Sequence, residues 1–478
     1  GFLTMKSLCR ILKGADLLPK VAELSGWLAR GLGDNWSQVR FAASEATRGF
    51  LENTTEESRA ESFPLLLPRM CLNRYYVAEG VRLYSQKTWK LIMGDTGRSW
   101  VAKCAPEVVA YYVEASQANN HAVREAACAC IAELMSKIER TAVLPHAATL
   151  LTALLDCFKD ESWPVRDAAC AACGRCVLAF PEEAKEIMEK ELYELFFAHT
   201  WDNIWSVRQT TAIALGQVVQ AYGDEALEKI CKMIKDRIAM ALIQPKDSRR
   251  FSNLSKTSKF GVAGPRPPPD HTLEECKFEN QPMFSCGSLA PKLKRGGGCM
   301  DHGFTRAKEP WEASDGCIYV IAELASINAE AIKPYLPQLH ELARLDQTSF
   351  RHAPVLLETL FKKLPAIAKG MGKKAFKPYI EEFLEPLFRA DKDSHQLAAA
   401  AAGNCIAEFE LLLGEGIFNG RLNDSQREQM RTSPNIIRKV GPGAMGGPGG
   451  PMGGPGGPWP GRDEGLAMLV GESRFPGA

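Results

Sequence analysis

The run Asp160-Glu-Ser-Trp-Pro-Val-Arg-Asp-Ala-Ala-Cys-Ala-Ala-Cys173 decides the fold. It reads as a polar turn followed by an alanine-rich helix opened by Val165-Arg166. Pro164 falls in the first turn, where a missing N–H costs nothing. The same dipeptide recurs as Val39-Arg40, Val81-Arg82, Val123-Arg124 and Val207-Arg208, each 42 residues from its neighbour. Around it, Asp34-Asn-Trp-Ser-Gln-Val-Arg-Phe-Ala-Ala and Asp202-Asn-Ile-Trp-Ser-Val-Arg-Gln-Thr-Thr-Ala follow the same plan. Pro64 and Pro106 repeat the 42-residue interval one helix earlier.

Each unit therefore predicts an apolar helix A, a short turn, and a helix B. In the fourth unit helix A spans roughly 143–158 and helix B roughly 164–180. Neither helix can bury its apolar face alone, so neighbouring units must stack into a solenoid. Later segments echo the pattern. Ile321-Ala-Glu-Leu324 and Ile406-Ala-Glu-Phe409 resemble Ile131-Ala-Glu-Leu134, and Lys333-Pro-Tyr335 and Lys377-Pro-Tyr379 open two helices 44 residues apart. The count is roughly eight or nine repeats.

The period and the Asp–turn–Val-Arg-x-Ala-Ala pattern resemble the HEAT repeat family, within the armadillo-like helical proteins. The resemblance covers about residues 10–244 strongly and 311–417 weakly. It implies an all-α, right-handed α-solenoid. It also implies a ladder between neighbouring repeats made by Arg40, Arg82, Arg124, Arg166 and Arg208 with Asp34, Asp160 and Asp202. Tyr76 and Ala118 occupy the other two Asp positions, so the ladder should be incomplete.

Two stretches depart from the period. Residues 245–310 contain Gly264-Pro-Arg-Pro-Pro-Pro269 and Arg295-Gly-Gly-Gly298, with 12 Lys/Arg against 7 Asp/Glu. The resulting +5 contrasts with +1 for the whole 478-residue chain. A long irregular insertion inside a compact array is usually functional or disordered. Phe251, Phe260, Phe278, Met283, Phe284 and Phe304 argue for partial order. Residues 433–478 read as a Gly/Pro-rich disordered tail, with 441–461 almost entirely Gly, Pro and Met. The organisation expected is thus an array over 1–244, an insertion over 245–310, further repeats over 311–432, and the tail.

Composition narrows the chemistry. The near-neutral charge excludes a uniformly basic nucleic-acid coat. With no run of about 18 apolar residues, no membrane span is expected. The first residue is Gly, so the sequence reads as a fragment or as starting at Met5, and no secretory signal stands there. Fifteen cysteines in a chain this long, many in alanine-rich helices, read as reduced core thiols. A cytoplasmic location follows, with nuclear or ciliary alternatives. Cys170, Cys173 and Cys176 have the spacing of half an iron–sulfur run, but a helix over alanines favours packing. Gly370-Met-Gly-Lys-Lys374 lacks the upstream Gly of a phosphate loop. Neither G-x-S-x-G nor H-E-x-x-H occurs. An enzyme is not expected. No cofactor is expected either, apart from zinc on Cys276, Cys286, Cys299 and His302 in the insertion, where only Cys299 and His302 form a tight pair.

The turns carry large aromatics: Trp36, Tyr75, Tyr76, Trp163 and Trp205. Aromatics and basic groups are typical interface anchors. These five, with Lys292, Lys294 and Arg295 of the insertion, are the candidate partner-binding residues. The expected function is a protein–protein scaffold or adaptor using its concave face and its A–B turn edge. Partners are other proteins, with no specific nucleic acid. The resemblance also admits a transport receptor of importin-β type, a tubulin-binding array of TOG type, or a ciliary assembly factor.

Overall fold

The structure is a computed structural model that describes residues 1–12, 14–246 and 308–437. The described residues are helical, with no strand among them. After α1 (Phe2–Ile11) and α2 (Gly14–Leu17), the helices form successive pairs. The first two pairs are α3 (Val21–Leu32) with α4 (Ser37–Asn53), and α5 (Glu56–Asn73) with α6 (Glu79–Ile92). In the third, α7 (Gly97–Lys103) and α8 (Ala105–Ser116) share the first position before α9 (His121–Lys137). The fourth joins α10 (Arg140–Val143) and α11 (Ala147–Phe158) to α12 (Trp163–Ala179). The fifth joins α13 (Pro181–Ile187) and α14 (Tyr193–His199) to α15 (Trp205–Tyr222).

The sixth pair is α16 (Asp224–Arg237) with α17 (Pro310–Leu324). Residues 247–307 therefore fall within the A–B turn of one pair. The seventh is α18 (Ala329–Ile332) and α19 (Leu336–Ala343) with α20 (Ala353–Met371). The eighth is α21 (Lys373–Phe376) and α22 (Ile380–Ala390) with α23 (Gln396–Leu413). Two short helices, α24 (Glu415–Asn419) and α25 (Asp424–Thr432), close the described array.

Proline explains the split first helices. Pro145, Pro334 and Pro378 each sit in a 3₁₀ turn between a short and a longer segment. Without an N–H, proline cannot continue the α-helical bonding, and a tight turn absorbs the change of direction. Arg140–Phe158, which contains one such turn, is the one described stretch long and apolar enough to cross a membrane, with mean hydropathy 1.4. Half of that stretch is buried inside the array, where it packs against α8, α9 and α12 as a core element.

The second helices stack on one another because their facing residues are small. Ala126, Ala127, Ala169, Cys170, Ala172 and Cys173 are fully buried. A Cβ built on Gly174 would lie 2.4 Å from the Gln217 Oε1 and 2.8 Å from the Ala214 Cα, so α12 and α15 nearly touch. Cys170, Cys173 and Cys176 lie inside this stack, and burial pushes their thiols up. They act as small core residues.

The stack is continuous from α9 to α23, and α1, α4 and α6 form a shorter run. Between α6 and α9 it opens. There α6 packs on α4 and α5, while α9 packs on α5 and α8. At this unit Val81-Arg82 is followed by Leu83-Tyr84-Ser85 instead of a residue and two alanines. Tyr84 packs against Phe41 and beneath Arg48, both on α4, and so ties α6 to the preceding second helix.

Candidate partner-binding surfaces

The A–B turns are built by short side chains that bond their own backbone. Asp34, Asp160 and Asp202 each accept from the amide two residues on, at 2.8–2.9 Å. This Asx geometry sets the chain direction into each second helix. Asn120, Asp346 and Asp393 do the same at 2.7–2.9 Å in other turns. Their positions lie off the strict 42-residue register, and for that reason they escaped the sequence comparison.

The other carboxylate oxygens feed the ladder. Arg124 is bidentate to Asp160 at 2.6 and 2.8 Å, with the pair essentially dry. Arg166 reaches Asp202 at 3.3 Å. Asp202 is held well below the usual carboxylate range: burial opposes this, but His199, Arg166 and the Ile204 amide outweigh it. Each arginine also bonds carbonyls of its own turn, as Arg124 does to Ala118 and Asn119. One side chain thus ties two successive turns together.

Four ladder positions differ from the pattern in the sequence. Arg208 pairs with Asp315 at 2.7 Å, from a helix that begins beyond residues 247–307. Arg40 has no carboxylate in the next repeat. It donates to Asn73 at 2.6 Å and lies 4.1 Å over the Tyr76 ring. Tyr76 stands at the Asp position and replaces an ion pair by a cation–π contact. Asp34, in the first pair, receives no arginine side chain at its carboxylate; Arg40 uses its backbone carbonyl. Arg82 has no partner, because the residue it would meet is Ala118.

The candidate aromatics separate by exposure. Trp36 is 43% exposed and Trp205 is 57% exposed at the openings of α4 and α15. Trp163 is half-buried at the opening of α12. Tyr76 is buried beneath Arg40 and leaves the candidate surface. Tyr75 is half-buried beside Glu133, and burial together with that carboxylate pushes its hydroxyl up. Lys292, Lys294, Arg295, Cys276, Cys286, Cys299 and His302 lie outside the described residues. Among the described residues no three His, Cys, Asp or Glu side chains converge as a metal cluster would require.

Residues on either side of 247–307 are pinned to the same edge. Gln244 accepts from the Trp311 amide at 3.1 Å, and the Ala241 amide donates to Ser314 at 2.8 Å. Trp201, in the preceding A–B turn, donates its ring N–H to the Glu309 carbonyl at 2.8 Å. Glu309 and Glu312 form a capping box at the start of α17.

The opening between α6 and α9 is a polar cleft of about 370 Å³. Arg74 lies at its base, ion-paired to Glu133 and stacked 4.1 Å from the Trp89 ring. A Cβ on Gly97 would come within 2.6 Å of Trp89, so the Gly97 backbone packs closely on that ring. Cys71, Tyr112 and Cys130 line the inner wall, and burial pushes all three up. Arg98, Lys137 and Asp95 stand exposed at the mouth.

Residues 121–175, from the start of α9 through most of α12, match the HEAT-like repeat family. The described helix pairs stack as an all-α solenoid, and residues 121–175 within it carry the HEAT-like repeat. No curated protein matches the sequence. Yeast importin-β (Kap95p) aligns at 15% identity over 88% of this chain and 43% of its own, with a TM-score of 0.46. Kap121p bound to RanGTP aligns at 10% identity over 91% of this chain and 40% of its own, with a TM-score of 0.44. An engineered protein aligns at 14% identity over 86% of this chain and 94% of its own, with a TM-score of 0.32. The chain spans less than half the length of the two natural proteins, and these likenesses concern the helical fold alone.

Proposed function

We propose that this chain of HEAT-like repeats is a non-enzymatic scaffold or adaptor that holds partner proteins on its A–B turn edge and on the exposed face of its second helices. One observation carries the reading. Trp36 and Trp205 stand 43% and 57% exposed at turn positions one residue apart in register, while Arg40 and Arg208 beside them are already engaged. Large aromatics left in water are costly unless a partner covers them. Residues 246 and 308, which flank the basic insertion, lie at this same edge. Partners are therefore proteins, bound through a broad surface rather than a deep pocket. We place the protein in the cytoplasm. The twelve described cysteines are free thiols, in keeping with a reducing compartment.

The test is affinity capture with mass spectrometry, comparing the full chain with the double variant Trp36→Ala, Trp205→Ala. Both rings are substantially exposed, so the fold should survive, and circular dichroism checks this. The reading expects part of the captured set to be lost. An unchanged set on a folded double variant refutes the edge as the binding surface.

A further inference from the structure

We propose that the cleft between α6 and α9 binds acidic side chains of a partner polypeptide. This rests on reading the chain as a protein-binding scaffold, but it places a second contact away from the tryptophan edge.

Several cations along the stack pair with a carboxylate of the neighbouring repeat. Lys6 pairs with Glu45, Arg140 with Glu183, Lys369 with Glu408 and Arg421 with Glu381. Arg98 and Lys137, at the mouth of the opening between α6 and α9, have no hydrogen-bond or ion-pair partner among the described residues. Deeper in, Arg74 is largely buried and its Nε–H has no acceptor, although its other nitrogens hold Glu133. A buried donor without an acceptor is costly, and an incoming carboxylate oxygen would satisfy it.

The carboxylates already present are Glu133, engaged by Arg74, and Asp95, which is exposed at the mouth without a partner. With Arg74 and Glu133 cancelling, two free cations face one free anion. The lining is polar, and Trp89 in it is already stacked by Arg74. Its volume of about 370 Å³ accommodates more than one carboxylate side chain. Its mouth is open to solvent through Arg98 and Lys137, which suits side chains presented by a protein surface.

The test uses the full chain and a fluorescein-labelled oligoglutamate peptide, read by fluorescence anisotropy at low ionic strength. Oligolysine serves as the control. Saturable binding that weakens with salt is expected. The double reversal Arg98→Glu, Lys137→Glu should weaken it by about tenfold or more, since two exposed charges change sign. Asp95→Asn should tighten it, a response that a purely structural role would not give. All three residues are exposed, so the variants should fold. Absence of saturable binding, or equal binding by the reversal variant, overturns the proposal. So does full displacement by inorganic phosphate at the peptide's own concentration, because the cleft would then read a free oxyanion. Loss of the cleft contact leaves capture through Trp36 and Trp205 intact, so the two readings fail separately.

Discussion

Asp315→Ala tests whether the array is electrostatically one stack across residues 247–307. Arg208 is 2% exposed and Asp315 is fully buried, with Nε and Oδ2 2.7 Å apart. Removing the carboxylate leaves a guanidinium that cannot deprotonate. Its remaining support is the Asp202 carbonyl at 2.7 Å and the Trp311 ring at 5.5 Å. Breaking a buried pair in this way costs about 3–5 kcal/mol. The surviving carbonyl bond places the loss near the lower end, about 3 kcal/mol, or roughly a hundredfold in a local opening equilibrium. Solenoid stability is a sum of repeat and neighbour terms, so the effect should stay local. Native-state hydrogen exchange should show α15 and α17 losing about two decades of protection, with α3 to α5 unchanged. The double variant Arg208→Met, Asp315→Leu should recover most of the loss, because paired apolar groups need no counter-charge. Arg82→Ala, at a ladder position with no partner, should stay within about 0.5 kcal/mol. Equal costs for Asp315→Ala and Arg82→Ala would refute the reasoning.

Two further outcomes follow from local geometry. Gly316→Ala would place a Cβ 1.7 Å from the Thr200 carbonyl oxygen, so α17 must move away from the turn before α15. The expected loss is about 3 kcal/mol by thermal denaturation, whereas Gly26→Ala, with open space around it, should be neutral or stabilising. Asp167, half-buried with its Oδ1 buried and unbonded, is pushed up to about 6 by desolvation. Its folded value lies above the unfolded one, so the folded state binds the extra proton between about pH 4 and pH 6. Stability should fall as pH rises through that window, by up to about 3 kcal/mol in total. Asp167→Asn should remove this slope, and denaturant titrations at pH 4 and pH 7 measure the difference.

The helical alternation, the 42-residue period and the turn chemistry follow from the sequence alone. Each depends on residues within one turn of helix or one tight turn: the proline at the start of α12, the alanines after Val165-Arg166, and the Asp two residues before a free amide. The pairings of Arg124 with Asp160 and of Arg166 with Asp202 are legible for the same reason, since both sides keep the period. Residues that leave the period are decided by packing. Asp315 reaches Arg208 from 107 positions away, and only the stacking of α17 on α15 brings it there. Tyr76 looks like an exposed turn aromatic in one dimension, yet the guanidinium of Arg40 covers it in three. The cleft follows the unit that departs from the repeat pattern at Leu83-Tyr84-Ser85. Its depth and its unpaired cations still depend on how far α6 stands from α9, a distance set by every side chain between them.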